Sequence, residues 1–133
     1  MDRLLFYFTF IVTLIIISAC NSQDSTLKPI LTSFEEEGIA LAEVEQTSKL
    51  FNVSGSDLKQ YEFDGGTIYF IYNYEDKNQI IEELRGVFAE AEFPYPVISL
   101  YKDEFCIIFV SNSDHAEMNQ KIDSIFQNNL KDL

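Results

Sequence analysis

The apolar positions of this chain change their spacing several times, and each change predicts an element. First comes an unbroken run, LLFYFTFIVTLIIISA from Leu4 to Ala19, sixteen residues without a charge. It is shorter than the roughly 20 apolar residues of a spanning helix and ends in small residues, so it reads as the h-region of a cleavable leader. The polar NSQDST that follows serves as a short tether. Leu27, Ile30, Leu31 and Phe34 then share one helical face, with Ser25 or Thr26 as cap, Pro29 in the first turn and Gly38 just past the end. A competing reading starts the helix at Ser33, with Ser33 and Glu36 as a capping box, and carries it through Gly38 to about Gln46. An interior glycine costs about 1 kcal/mol, so the first reading is preferred and IALAEV becomes a short strand.

The spacing switches again in QYEFDGGTIYFIYNYED. Two runs rich in aromatic and β-branched residues flank Asp64-Gly65-Gly66, a strong hairpin signal, and predict paired strands over Tyr61–Phe63 and Thr67–Tyr74. After Asp76 the period becomes helical: Ile80, Ile81, Leu84, Val87, Phe88 and Ala91 form one stripe, Asp76 with Gln79 resembles a capping box, and Pro94 and Pro96 prevent continuation. The order then repeats. PVISLYKDEFCIIFVSN reads as strand, a turn around Lys102-Asp103, and strand, while DHAEMNQKIDSIFQNNL reads as a helix with Met118, Ile122, Ile125 and Phe126 inward.

Two consecutive hairpin–helix units preceded by a helix imply an α+β fold: a small, mostly antiparallel sheet built from two ββα units, helices mainly on one face, with an additional N-terminal helix. The corresponding organisation is a leader over residues 1–19, a tether over 20–26 and a single α+β domain over 27–133. Strands TIYFIYNY and FCIIFV are apolar on both faces, which places them centrally and asks what covers the second face. Either the first helix does, or one row, Tyr69 with Ile71 on one side or Phe70, Tyr72 and Tyr74 on the other, forms an exposed interaction surface to which Tyr69, Tyr72 or Tyr74 contributes. Burial is the ordinary fate of such residues.

Charge narrows the partners. The chain carries 9 basic and 22 acidic residues, a formal charge of −13, spread along its length. Such a chain repels phosphates, so nucleic acid is excluded as an expected partner and any membrane attachment must be hydrophobic.

Cysteine chemistry adds a location. Ile17-Ser18-Ala19-Cys20 closes the apolar run and resembles the bacterial lipobox: an aliphatic residue, two small residues and a cysteine. The resemblance implies a diacylglycerol on the Cys20 thiol and peptidase cleavage between Ala19 and Cys20. Two acyl chains anchor stably where one binds marginally, so the domain is expected outside the bacterial cell membrane, held by lipid. SFEEEGIAL and the YEFDGGTIYFIYNYED hairpin before an amphipathic helix are also similar to small lipoproteins of Gram-positive, Bacillus-like bacteria. That resemblance implies no functional residue beyond Cys20. The leader departs from the pattern in its n-region, where Arg3 is offset by Asp2. Cys106, inside FCIIFV, reads as a small buried hydrophobe rather than a disulfide partner.

Few residues point to chemistry. His115 is the one histidine, and its place at a helix start disfavours imidazolium. No serine sits in a Gly-x-Ser-x-Gly elbow. Asp64 and Asn112-Ser113-Asp114-Glu117 offer hard oxygen ligands but lack the spacing of a calcium loop. No pattern requires a metal or cofactor. The expected function is therefore a non-catalytic binding or interaction module, with the membrane as one partner through Cys20 and a protein or envelope component as the other. The alternative is a small extracytoplasmic hydrolase or metal-dependent enzyme using clustered carboxylates.

Overall fold

The computed structural model describes residues 22–46 and 49–131. The leader, the lipobox and its cleavage point lie outside the described residues. The chain divides into two compact units, residues 1–32 and 33–133. Helix α1, Ser22–Glu36, runs through the boundary between them. It begins inside the segment expected to be a tether, because serine and aspartate suit the first turn of a helix as well as they suit a linker. Pro29 consequently lies in the helix interior, where its missing N–H removes one helical hydrogen bond.

The end of α1 follows the preferred reading. Gly38 takes φ +79°, its N–H donates to the Glu35 carbonyl (2.9 Å), and the Ile39 N–H donates to the Phe34 carbonyl (2.9 Å). A left-handed residue after the last turn satisfies carbonyls the helix would leave open, and glycine adopts it without a Cβ penalty. The chain then enters β1, Ala42–Val44.

Five antiparallel strands in the order β1-β2-β3-β5-β4 make the sheet, with β2 at Asp57–Phe63, β3 at Gly66–Tyr72, β4 at Val97–Tyr101 and β5 at Phe105–Ser111. The α+β expectation holds, with both hairpins in the places expected. Phe63 pairs with Gly66 across the Asp64-Gly65 turn, and β3 pairs with β5 from Gly66↔Ser111 to Tyr72↔Phe105. β3 and β5 are thus the central strands that their two-sided apolar character required.

Both faces are covered. Helix α2, Lys77–Glu90, follows the Asp76 cap, whose carboxylate accepts from the N–H groups of Asn78 (2.9 Å) and Gln79 (3.4 Å). It lays Ile80, Leu84, Val87 and Phe88 against Tyr69, Ile71, Cys106 and Ile108. Phe51 and Val53, from a loop with no apolar period of its own, complete this cluster; the Phe51 ring lies 4.6 Å from Tyr69 and stacks on Phe93 at 6.3 Å. The opposite face presents Ile68, Phe70, Phe105, Ile107 and Phe109, all buried. Helix α3, Ala116–Ser124, and the π-helical turn that continues it, Ile125–Asn129, serve that face. Their buried side chains are Ile122, Ile125 and Phe126, Met118 lies beside the Phe63 ring, and Phe126 meets Phe34 edge-on at 6.3 Å. The two hairpin units therefore send their helices to opposite faces, rather than mainly to one. The reason is energetic: each exposed Ile or Phe on an uncovered face forfeits about 1.5–3 kcal/mol of burial.

Candidate functional site

The turn of the first hairpin forms one wall of a concavity, and its two glycines allow a close approach. A Cβ at Gly65 would come within 2.5 Å of Phe63 Cε2 and 2.8 Å of Met118 Cγ; one at Gly66 would come within 2.3 Å of the Val110 carbonyl oxygen. The turn is pinned to the end of β5, since Asn112 donates through its backbone N–H to the Gly65 carbonyl (3.2 Å) and through Nδ2 to the Asp64 carbonyl (2.9 Å). Behind it, the Ser111 hydroxyl reaches the Ser113 carbonyl (2.6 Å) and Asn119 Oδ1 (2.8 Å), fixing the start of α3. His115 finishes that start as the N-cap, its Nδ1 accepting from the Met118 N–H at 3.3 Å. The histidine thereby has a structural role that sets the position of Met118.

Between this wall and the chain leaving α1 lies a cleft of about 590 Å³ lined by Gly38, Ile39, Ala40, Ala42, Glu62, Phe63, Asp64 and Met118. Small residues at 40 and 42 leave it open. Ile39, Phe63 and Met118 make an apolar floor; Glu62 and Asp64 put two exposed carboxylates at the rim. The field of Glu62 reaches the neighbouring strand: burial first, then the Glu62 charge, holds the Tyr69 phenol above its usual range. An apolar floor under carboxylates complements a cationic group carried on an apolar body. No lining residue is a Ser, Cys, Lys or His, so the cleft itself holds no nucleophile–base pair.

A second cleft, about 400 Å³, lies at the start of α2 and is lined by Ser54, Gly55, Asn73, Tyr74, Glu75, Asp76, Gln79 and Ile80. Its polar groups are largely occupied. Asp76 caps the helix, Asn73 Nδ2 donates to Asp57 Oδ2 (2.8 Å), and the Tyr74 hydroxyl donates to the Lys102 carbonyl. Among the described residues no group of three or more His, Cys, Asp or Glu side chains could hold a metal ion. Asp64 and Asn112 do come together, but through the Asp64 backbone carbonyl rather than as a pair of ligands.

Neither of the two rows is an exposed surface: Ile71 and Phe70 are buried. Tyr69 and Tyr74 are buried in the α2 cluster, while Tyr72 is half-buried on the opposite face, stacked on Phe70 at 5.2 Å. Asn73 is the cause: its φ of 59° ends β3 at Tyr72 and turns Tyr74 to the other side of the sheet. Strict alternation, which assumes extended backbone throughout, puts Tyr72 and Tyr74 together. Cys106 is a free, fully buried thiol, pushed up to about 12 by burial.

Sequence reasoning misses the cleft because positions 38–42, 62–64 and 118 share no spacing; only the fold brings them together. Comparison with known protein families, with curated proteins and with solved structures finds no match. Among the described residues, no helix is long and apolar enough to cross a membrane.

Proposed function

We propose that this protein is a lipid-anchored, non-catalytic binding module displayed at the outer face of a bacterial cytoplasmic membrane. The observation that carries the proposal is Ile17-Ser18-Ala19-Cys20 placed directly behind sixteen uncharged residues. Lipid on Cys20 supplies the membrane contact that a chain of charge −13 does not obtain from anionic headgroups. The cleft between Ile39, Phe63 and Met118, rimmed by Glu62 and Asp64, is the surface offered to a second partner, and its chemistry favours a cationic, partly apolar one.

Intact-mass analysis of the membrane fraction tests the anchor. The expected species begins at Cys20 and carries a diacylglycerol, and Cys20→Ala loses both cleavage and incorporated fatty acid. A chain that keeps its leader, or fatty acid retained in Cys20→Ala, rejects the anchor. The cleft has its own test: Glu62→Lys with Asp64→Lys, folded by circular dichroism, is expected to lose the partners that co-purify with the unmodified chain. Recovery of the same partners rejects the cleft and leaves the anchor standing.

A further inference from the structure

His115 is the chain's one histidine, and the fold employs it in its neutral form. Its Nδ1 accepts from the Met118 N–H at 3.3 Å, which makes the ring the N-cap of α3. Neutral imidazole has one ring nitrogen free to accept; imidazolium donates from both. Helix N-caps are ordinarily Ser, Thr, Asp or Asn, whose side-chain oxygens still accept in mild acid. A histidine in that place makes the cap conditional on pH, because histidine is the side chain whose charge ordinarily changes between about pH 5 and 8.

What the cap holds is part of the cleft. Met118 donates the capped N–H and, with Ile39 and Phe63, supplies the apolar floor. Its side chain lies against the first hairpin so closely that a Cβ on Gly65 would come within 2.8 Å of Met118 Cγ. In the first turn of a helix the Met118 N–H has no intrahelical carbonyl to fall back on. The stretch before α3 is held separately, by Ser111, Ser113 and Asn119, so losing the cap opens the helix at Met118 and leaves that stretch in place. Among the described residues, the charged groups at this start are carboxylates: Asp114 before the ring, Glu117 in the first turn, and Asp64 and Glu62 on the hairpin that Met118 touches, while Lys121 is in the last turn. The helix N-terminus disfavours a cation on the ring and the carboxylates favour one, so a protonated His115 has other neighbours to turn to once it releases Met118.

We infer that His115 is a pH-operated latch on the cleft. Neutral, it caps α3 and keeps Met118 in the floor; protonated, it releases the Met118 N–H, and the Met118 side chain leaves the hairpin turn. The proton goes to Nδ1, the atom that accepted, and comes from solvent, to which His115 is exposed. The cleft is therefore complete at neutral pH and loses part of its apolar floor in mild acid. A module outside a membrane meets the pH of its surroundings directly, which gives such a latch something to sense. As regulation of partner binding, the latch rests on the cleft being the partner surface; the latch itself is measured without a partner.

NMR of the full chain in detergent micelles, labelled with isotopes in its methionines alone, tests it. Met1 and Met118 are the two methionines and Met1 has no peptide N–H, so the one methionine amide signal is that of Met118, whichever processed form the chain takes. At about pH 5.5 that amide is expected to exchange with solvent about five-fold faster in the unmodified chain than in His115→Asn, whose side-chain oxygen keeps the cap; at about pH 7.5 the two are expected to match. The Met118 methyl signal is expected to move over the same range in the unmodified chain and to stay still in His115→Asn. His115→Ala, which has no cap at any pH, is expected to exchange fast at both. Equal exchange in the unmodified chain and His115→Asn at about pH 5.5, the same methyl movement in His115→Asn, or a slowly exchanging Met118 in His115→Ala overturns the latch. None of these readings involves the lipid on Cys20 or an occupant of the cleft, so partners that survive Glu62→Lys with Asp64→Lys reject the cleft as a binding surface and leave the latch standing.

Discussion

Three glycines, given the same added methyl group, should respond in three different ways, and the structure sets the order. Gly86 lies on the exposed side of α2 with nothing within 4 Å of a new Cβ, so Gly86→Ala should stabilise by about 1 kcal/mol through helix propensity alone. Gly38 has the same open space but a φ of +79°, so Gly38→Ala should cost about 1–2 kcal/mol for the left-handed backbone. Gly66 combines a φ of +149° with a wall: its Cβ would lie 2.3 Å from the Val110 carbonyl oxygen and 3.0 Å from Phe109 Cε2. Backbone strain of this kind costs about 1–3 kcal/mol. That carbonyl belongs to the β3–β5 ladder, so relieving the clash loosens ladder hydrogen bonds worth about 0.5–1.5 kcal/mol each. Gly66→Ala should therefore lose about 2–4 kcal/mol, a large part of the roughly 5–15 kcal/mol that holds a domain together. Equilibrium urea unfolding followed by circular dichroism should show its midpoint falling by about 1–2 M at an ordinary slope for a small domain, while Gly86→Ala moves the other way. A Gly66→Ala protein within about 0.5 kcal/mol of the unmodified one, or one more stable than Gly86→Ala, would show that the turn relaxes freely and that the close approach to β5 is not a constraint.

Alkaline pH should weaken the fold through Cys106. Its thiol, normally near 9.0, is held up to about 12 by burial, so the folded state binds the proton more tightly; the stability this gives is complete below the unfolded value and is lost as pH rises from about 9 to 12. Unfolding curves across that window should show a decline of up to about 1.4 kcal/mol per pH unit per such group. Tyr74, raised chiefly by burial and then by Cys106 and Asp103, acts in the same direction. A flat profile that Cys106→Ala leaves unchanged would contradict the burial argument. Asp76→Ala should cost about 1 kcal/mol by opening two N–H groups at the start of α2, and Asp76→Asn should restore most of it; equal losses in both would point to charge rather than the cap as the source.

Much of the fold is legible along the chain because its local signals agree with one another. Asp64-Gly65 announces the first hairpin, Asp76 the start of α2 and Gly38 the end of α1, each through a local backbone requirement that only a few residue types meet. The apolar stripe of α2 and the inward Ile122, Ile125 and Phe126 appear where helical spacing places them. Period alone does not reveal Phe51 and Val53, which sit in a loop and reach the core only because the sheet leaves room for them. Nor does it reveal the turn at Asn73: one left-handed residue reverses the facing of Tyr74 and takes it out of the row with Phe70 and Tyr72.

Local chemistry thus decides the elements, their order and the motif at Cys20, since caps, turns and periodicities act over a few neighbouring residues. Tertiary structure decides everything that joins distant positions. It sends the two hairpin units' helices to opposite faces, because central strands apolar on both sides need two covers. It gathers Gly38–Ala42, Glu62–Asp64 and Met118 into one cleft. It also leaves β4 at the edge of the sheet, where an uncharged pentapeptide that would be core in the middle keeps one side that no strand among the described residues pairs with.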